Sequence, residues 1–120
     1  MLIVLPWPDK RVFPNAKRRS HWRTYQPAIK AERQMGQFFT LEQMSPEARQ
    51  SVKKGSGHIE MTVTFFPPDR RRRDDDGMIS AFKHLRDGIA DALGVDDHRF
   101  RASYQFEDAL APGRVEVRFQ

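Results

Sequence analysis

The chain has 120 residues, with 21 lysines and arginines against 16 aspartates and glutamates, and a formal net charge of +5. This length suffices for one hydrophobic core and not for two, so we expect a single domain over residues 1–120. There is no cysteine, which excludes disulfides, thiolate chemistry and cysteine-ligated zinc. The longest apolar opening, Leu2–Leu5, is too short for a signal sequence or a membrane span, which favours a cytoplasmic protein with no membrane partner. The moderate positive charge is by itself weak evidence for a nucleic-acid partner.

The first half of the chain predicts one strand and two helices. Leu2–Leu5 is apolar, partly β-branched and stopped by prolines, so we expect a short strand buried on both faces. Residues 14–23 are basic and interrupted by Pro and Asn, which predicts a loop. Serine at position 45 followed by proline is typical of an N-cap and predicts a short helix ending at Lys53. Before it, a longer helix is predicted from Ala28 to about Met44. Its packed face is expected to consist of Ile29, Met35 (or the aliphatic stem of Arg33), Phe38, Phe39 and residues 42–44.

The second half of the chain predicts three strands and one helix. Apolar residues alternate over 59–65, as in a half-buried strand. They recur at steps of three and four over 78–93, which predicts an amphipathic helix closed by a glycine C-cap. Residues 101–107 and 114–119 are predicted as two strands joined in a hairpin by Pro112-Gly113. This order of elements indicates an α+β, or mixed-sheet α/β, domain in which helices pack on a mixed β-sheet.

Residues 68–77 hold the densest charge in the chain, reading Pro-Asp-Arg-Arg-Arg-Arg-Asp-Asp-Asp-Gly. Burial of either the arginine run or the aspartate run would cost much free energy, and like charges repel along the chain. Stability of the fold therefore does not explain this charged block. Carboxylate oxygens are the ligands that Mg²⁺ and Mn²⁺ prefer, and arginines bind phosphates on either side of a scissile bond. The stretch therefore indicates a metal-dependent nuclease acting on DNA.

Asp74 and Asp76 are the strongest candidates for metal ligands in this block. In an extended loop, residues two apart point to the same side, so both carboxylates would face one cation. The alternative is that these aspartates only cap the helix that follows. A second acidic pair, Asp96-Asp97, lies beyond that helix, which spans roughly 24 Å at 1.5 Å per residue. It reaches the first pair only if a neighbouring strand or a partner subunit brings the two ends together.

A second basic cluster, between Lys17 and Arg23, interleaves cations with His21 and Trp22. A basic loop carrying an aromatic residue can contact phosphates and stack on an unpaired base. The alternative is a solvated loop with Trp22 packed into the core. The chain has no glycine-rich phosphate loop and no nucleophile elbow, so a nucleotide cofactor and serine chemistry have no support.

Three motifs together are similar to a known family. Leu5-Pro6-Trp7-Pro8, the stretch from Pro68 to Asp76 and the later Asp96-Asp97 resemble, in order and spacing, the RusA family of Holliday junction resolvases. The resemblance covers most of the chain. It implies a small α/β homodimer that binds four-way junction DNA. With Mg²⁺, or Mn²⁺ as a substitute, it would introduce paired symmetric nicks in DNA recombination and repair.

The resemblance also assigns roles to individual residues. It implies that Asp74, Asp76 and Asp97 ligate one or two metal ions, and it makes Lys83 the candidate for the family's functional lysine. Two positions depart from the family pattern: Lys83 lies further from Asp76 than usual, and Gly77 stands where asparagine is usual. Lys83 is also spaced to pair with Asp87 on the helix surface. The residues expected to hold the DNA strands are Lys17, Arg18, Arg19, Arg23, Arg70, Arg71, Arg72 and Arg73.

Two alternatives remain open. The first is a DNA- or RNA-binding module without catalytic activity, or a degenerate enzyme, in which the aspartates only cap a helix. The second is a nuclease that prefers other branched DNA, such as flaps or replication forks.

Overall fold

The computed structural model describes residues 1–120 and contains four strands and four α-helices. Two short 3₁₀ turns, Lys10–Val12 and Asp97–Arg99, stand between them. The predicted fold class is confirmed, because a mixed sheet is covered by helices. The elements are β1 Leu2–Pro6, α1 Pro14–Arg19, α2 Trp22–Gln43, α3 Pro46–Lys53, β2 Ile59–Phe66, α4 Asp75–Leu93, β3 Phe100–Phe106 and β4 Arg114–Phe119.

The four strands form one sheet in the order β1-β4-β2-β3. β4 is antiparallel to both of its neighbours, whereas β2 and β3 are parallel and are connected through α4. The hairpin predicted at Pro112-Gly113 is therefore wrong, since β2 lies between β3 and β4. A parallel pair needs a long crossover, and the helix between β2 and β3 supplies it. β2 alternates between buried and less buried residues along its whole length, which confirms the predicted strand.

β1 is an edge strand with one face open to solvent. Ile3 and Leu5 are buried in the core, whereas Leu2 and Val4 are 39% and 38% exposed on the other face. The prediction of a strand buried on both faces is wrong, because helices cover only one side of the sheet. The side chain of Gln43 closes the outer edge of β1. Its amide accepts from the Val4 N–H at 2.8 Å and donates to the Val4 carbonyl at 2.7 Å.

The segment predicted as a loop over residues 14–23 is helical. Pro14 stands at the first position of α1, where its fixed φ favours a helix start. His21 then caps α2 and accepts from the Arg23 N–H at 3.2 Å. α2 begins six residues before the predicted Ala28 and continues through Pro27. Proline and asparagine here start a helix and do not interrupt one.

The contact between α2 and α4 is made by small residues. The two helix backbones approach closely at their glycines. An added Cβ at Gly36 would lie 2.2 Å from the Leu85 carbonyl oxygen, and an added Cβ at Gly88 would lie 2.0 Å from the Arg33 carbonyl oxygen. The buried residues of α2 are Ala28, Glu32, Gly36 and Thr40, at steps of four. The predicted packed face is confirmed only in part: Ile29 and Phe39 are half-buried against the core and Met44 is buried, whereas Met35 and Phe38 are 39% and 58% exposed.

α4 is the central helix of the covering layer. It ends at Leu93, and Gly94 adopts a left-handed φ of 68° as predicted for the C-cap. It begins at Asp75, three residues before the predicted Met78. The N-cap predicted before α3 is confirmed by the Ser45 hydroxyl, which accepts from the Ala48 N–H at 3.1 Å. None of the helices combines the length and apolar composition needed to cross a membrane.

Candidate nucleic-acid and metal site

The charged block joins β2 to α4 and is organised by Asp69. The Asp69 carboxylate accepts from the Arg71 N–H and from the Arg73 guanidinium, both at 2.9 Å, and these contacts lower the pKa of Asp69. The Arg73 guanidinium also lies 5.5 Å from the centre of the Trp7 ring. Only 18% of the Arg73 side chain is exposed. Arg73, expected to hold DNA, is thus engaged in fixing the loop.

The three consecutive aspartates lie at the start of α4. Asp74 is the N-cap residue, with φ −79° and ψ 139°, and Asp75 and Asp76 are the first two helical residues. The expected extended geometry is wrong, because Asp76 belongs to the helix. The capping alternative is met in part: the three aspartates stand at the N-cap and in the first turn, where the helix dipole favours carboxylates, but the Asp74 side chain forms no cap hydrogen bond. None of the three carboxylates forms a hydrogen bond or an ion pair.

The aspartates line an open cleft of about 930 Å³ together with both basic clusters. Arg18 reaches the cleft from α1, where its guanidinium is bonded to the Asn15 amide oxygen. Arg72 reaches it from the charged block. Two basic clusters that are far apart in the chain therefore meet beside the carboxylates, an arrangement suited to binding a phosphate backbone.

The remaining basic residues differ in their surroundings. Lys17 turns away from the solvent, because its Nζ lies 3.0 Å from His84 Nε2 on α4, and burial lowers the pKa of both groups. Trp22 is 53% exposed and carries Arg23 over its ring, so it is not packed into the core. Arg19 at the end of α1, and Arg70 and Arg71 in the loop before α4, are exposed. The Arg71 guanidinium lies 3.9 Å from the Asp69 carboxylate.

Lys83 and Asp97 contact each other, away from the cleft. The Lys83 ammonium lies 3.4 Å from the Asp97 carboxylate and 3.6 Å from that of Asp87, which confirms the expected pairing with Asp87. Arg86 donates to the Asp97 carbonyl at 3.1 Å. Seven residues separate Lys83 from Asp76, or about 10 Å along a helix. The structure therefore joins two of the four expected catalytic residues and separates them from the other two.

No three acidic or histidine side chains of one chain converge as a metal-binding group. The donor chemistry of Asp74 and Asp76 nevertheless suits a hard cation, because both offer free carboxylate oxygens. Mg²⁺ is commonly held by one or two carboxylates and completes its shell with water and substrate phosphates. Two aspartates in a cleft that is also lined by arginines suit that requirement, and the expected third ligand, Asp97, does not join them within one chain.

No protein-family model matches the chain. A protein of Xylella fastidiosa (strain Temecula1 / ATCC 700964), described as an uncharacterized protein, is 39% identical over 113 residues. The matched part is 90% of this chain and 67% of that protein. The chain belongs to the family of that Xylella protein. The relationship establishes kinship and assigns no activity.

One residue of the cleft was not expected from the sequence. Ser80 lies one turn after Asp76 and lines the cleft. Its spacing of four from Asp76 is the signal that would have identified it, once α4 is taken to begin at Asp75. Lys83 lies outside the cleft, so Ser80 and not Lys83 is the helical side chain next to the aspartates.

Proposed function

We propose that this protein is a Mg²⁺-dependent endodeoxyribonuclease that cuts four-way DNA junctions, as its resemblance to the RusA resolvases implies. One observation carries the proposal. Asp74, Asp75 and Asp76 have no cationic partner, although they share a cleft with Arg18 and Arg72.

The cost of this arrangement supports a bound cation. Three adjacent carboxylates repel one another, and the positive end of α4 offsets only part of that repulsion. Arginines next to them in the chain would relieve it by pairing, yet Arg73 pairs with Asp69 instead. Free carboxylates beside guanidinium groups that have no acidic partner suit a ligand that carries both charges, such as a phosphate with its metal ion.

The side chains of the cleft divide into two roles. Asp74 and Asp76 would hold the cation, which would supply charge stabilisation at the scissile phosphate and activation of water. Arg18 and Arg72 bind the phosphates on either side and hold the DNA strand in place. The exposed ring of Trp22 stands at the start of α2, where an unpaired base of a junction can stack on it.

The test is cleavage of an end-labelled synthetic four-way junction, with and without Mg²⁺. We expect paired symmetric nicks that require Mg²⁺ and that fall at least about 100-fold in Asp76→Asn. Asp91→Asn is the matched control, because Asp91 lies on the same helix and is paired with Arg33. That variant keeps the wild-type rate.

Two other results would replace the proposal. Tight junction binding without nicks, unchanged or strengthened in Asp76→Asn, would make the protein a binding module. Faster cleavage of fork or flap DNA than of the junction would keep the nuclease and change its substrate.

A further inference from the structure

We propose that the hydrogen bond between Lys17 and His84 positions Arg18 in the cleft. Lys17 and His84 are then positioning residues, whereas Arg18 makes the contact with a DNA phosphate. This role rests on the proposed function, since it concerns a phosphate contact of the same cleft.

α1 has few contacts that hold it in place. It is a helix of six residues without a buried side chain, and helices this short are not stable in water without tertiary contacts. Its N-terminal end is attached by Phe13, which packs against the apolar core. After Phe13, only the Lys17 side chain forms a hydrogen bond from α1 to another element. The contact with His84 therefore holds the C-terminal half of α1 against α4.

The hydrogen bond between Lys17 and His84 requires a neutral histidine. The two nitrogens, Nζ and Nε2, lie 3.0 Å apart. An ammonium group can only donate, so His84 accepts through Nε2 and carries its own proton on Nδ1. Burial lowers the pKa of Lys17, and burial followed by the charge of Lys17 lowers the pKa of His84. A protonated His84 would lose its acceptor and repel the ammonium.

The other charged groups around His84 do not replace this contact. On α4, Lys83 is paired with Asp87 at 3.6 Å. The charge of Asp87 favours a protonated His84, whereas the charges of Lys83 and Lys17 oppose it. From α2, the ring of Tyr25 has its centre 6.0 Å from the Lys17 ammonium. Lys17 forms no ion pair with any carboxylate, so His84 is the acceptor that holds it.

The place of Lys17 sets the direction of Arg18. Consecutive residues of a helix project about 100° apart, so fixing Lys17 on α4 also fixes the rotation of α1 about its axis. Arg18 then faces the cleft, which Ser80 lines from α4. His84 lies one turn after Ser80 and does not line the cleft. The attachment point is therefore next to the phosphate site, and Lys17 is kept out of that site while Arg18 lines it.

The first experiment measures the contribution of Arg18 to DNA binding with and without the contact. In Arg18→Ala, the slope of log affinity for junction DNA against log salt is expected to fall by about 1. In a His84→Ala background the same change should lower the slope by less than about 0.3, because Arg18 is no longer held in the cleft. Arg72→Ala is the matched control, since Arg72 reaches the cleft from the charged block, and it should lower the slope by about 1 in both backgrounds.

His84→Gln separates the loss of the hydrogen bond from the loss of the ring. The glutamine amide oxygen can accept from Lys17 at any pH, so in this background Arg18→Ala should again lower the slope by about 1. Equal losses for Arg18→Ala in the wild-type and His84→Ala backgrounds would overturn the positioning role. A His84→Gln background that behaves like His84→Ala would overturn it as well.

The second experiment follows α1 without DNA, by hydrogen exchange of its backbone amides. Their protection is expected to fall at least about 5-fold in His84→Ala, while the amides of β2 keep their protection and report an intact fold. After correction for intrinsic exchange, wild type should also lose protection in α1 between about pH 7.5 and about pH 5, as His84 becomes charged, and His84→Gln should not. Equal protection of α1 in all three proteins would refute the contact. A wild type that does not bind the junction would count against the proposed function, and the exchange result would still decide whether His84 holds α1.

Discussion

The two ends of α4 both carry several aspartates, and they use them in opposite ways. At the N-terminal end Asp74, Asp75 and Asp76 have no partner. At the C-terminal end Asp91 accepts from Arg33 at 2.7 and 2.9 Å, and this contact lowers the pKa of Asp91. A carboxylate that is already paired serves the fold, whereas one left free beside arginines is available to a ligand.

The acidic residues that follow α4 are also paired. Asp97 is held by Lys83, and Asp96 accepts from His98 Nδ1 at 2.8 Å, which lowers the pKa of Asp96. Such exposed pairs each contribute little to stability, so their importance lies in satisfying charge. The contrast teaches that partners, and not the number of acidic residues, distinguish the two ends.

The largest expected effect comes from breaking the helix contact that holds both ends of α4 in place. Gly88→Ala would put a Cβ 2.0 Å from the Arg33 carbonyl oxygen, so α2 and α4 must separate. We expect a loss of about 1–3 kcal/mol in the free energy of unfolding. Gly77→Ala is the control on the same helix, where the nearest atom is 4.0 Å away, and it should gain about 0.5–1 kcal/mol. Urea denaturation measures both. A neutral Gly88→Ala would contradict the close helix contact.

The next effect sharpens the contrast between paired and free arginines. Replacing both Arg18 and Arg72 with alanine should reduce the slope of log affinity for junction DNA against log salt by about 2, because two phosphate contacts are lost. Arg33→Ala should leave that slope unchanged and lower stability by at most about 1 kcal/mol. Fluorescence anisotropy over a salt series makes the measurement. Equal slopes for wild type and the double variant would remove the cleft from DNA binding.

The smallest effect concerns a third kind of carboxylate, one that is buried without a cation. Glu32 is 2% exposed, accepts from the Asp9 N–H and has an unpartnered Oε2, and burial raises its pKa above the usual range. The folded state then holds the proton more tightly than the unfolded state, so stability is highest below the unfolded pKa and falls as pH rises through the folded pKa. Glu32→Gln should therefore stabilise the protein by about 1 kcal/mol at pH 8, seen as a higher melting temperature, and should leave the melting temperature unchanged at pH 4. A constant difference between the two pH values would exclude this titration.

Features that lie within one element follow from the sequence. The alternation along β2, the apolar face of α4, the Ser45 cap and the glycine that ends α4 were all predicted, because periodicity and capping depend on neighbours a few residues apart. The same local rule predicted the contact between Lys83 and Asp87. It also located the charged block directly after a strand.

Features that join separate elements follow only from the tertiary structure. The face of α2 that contacts α4 is built from Gly36 and other small or polar residues, because the close helix contact stabilises the fold more than burial of Phe38 would. The pairing of β3 with β2, the meeting of Arg18 with the aspartates, and the contact of Asp97 with Lys83 likewise depend on how helices and strands pack. The sequence by itself determined which residues carry charge and which segments have the apolar periodicity of a strand or a helix. The packing of the elements decided which charged side chains meet, because the arrangement of lowest free energy depends on all helices and strands together. Such contacts between elements leave no periodic pattern in the sequence of any single element.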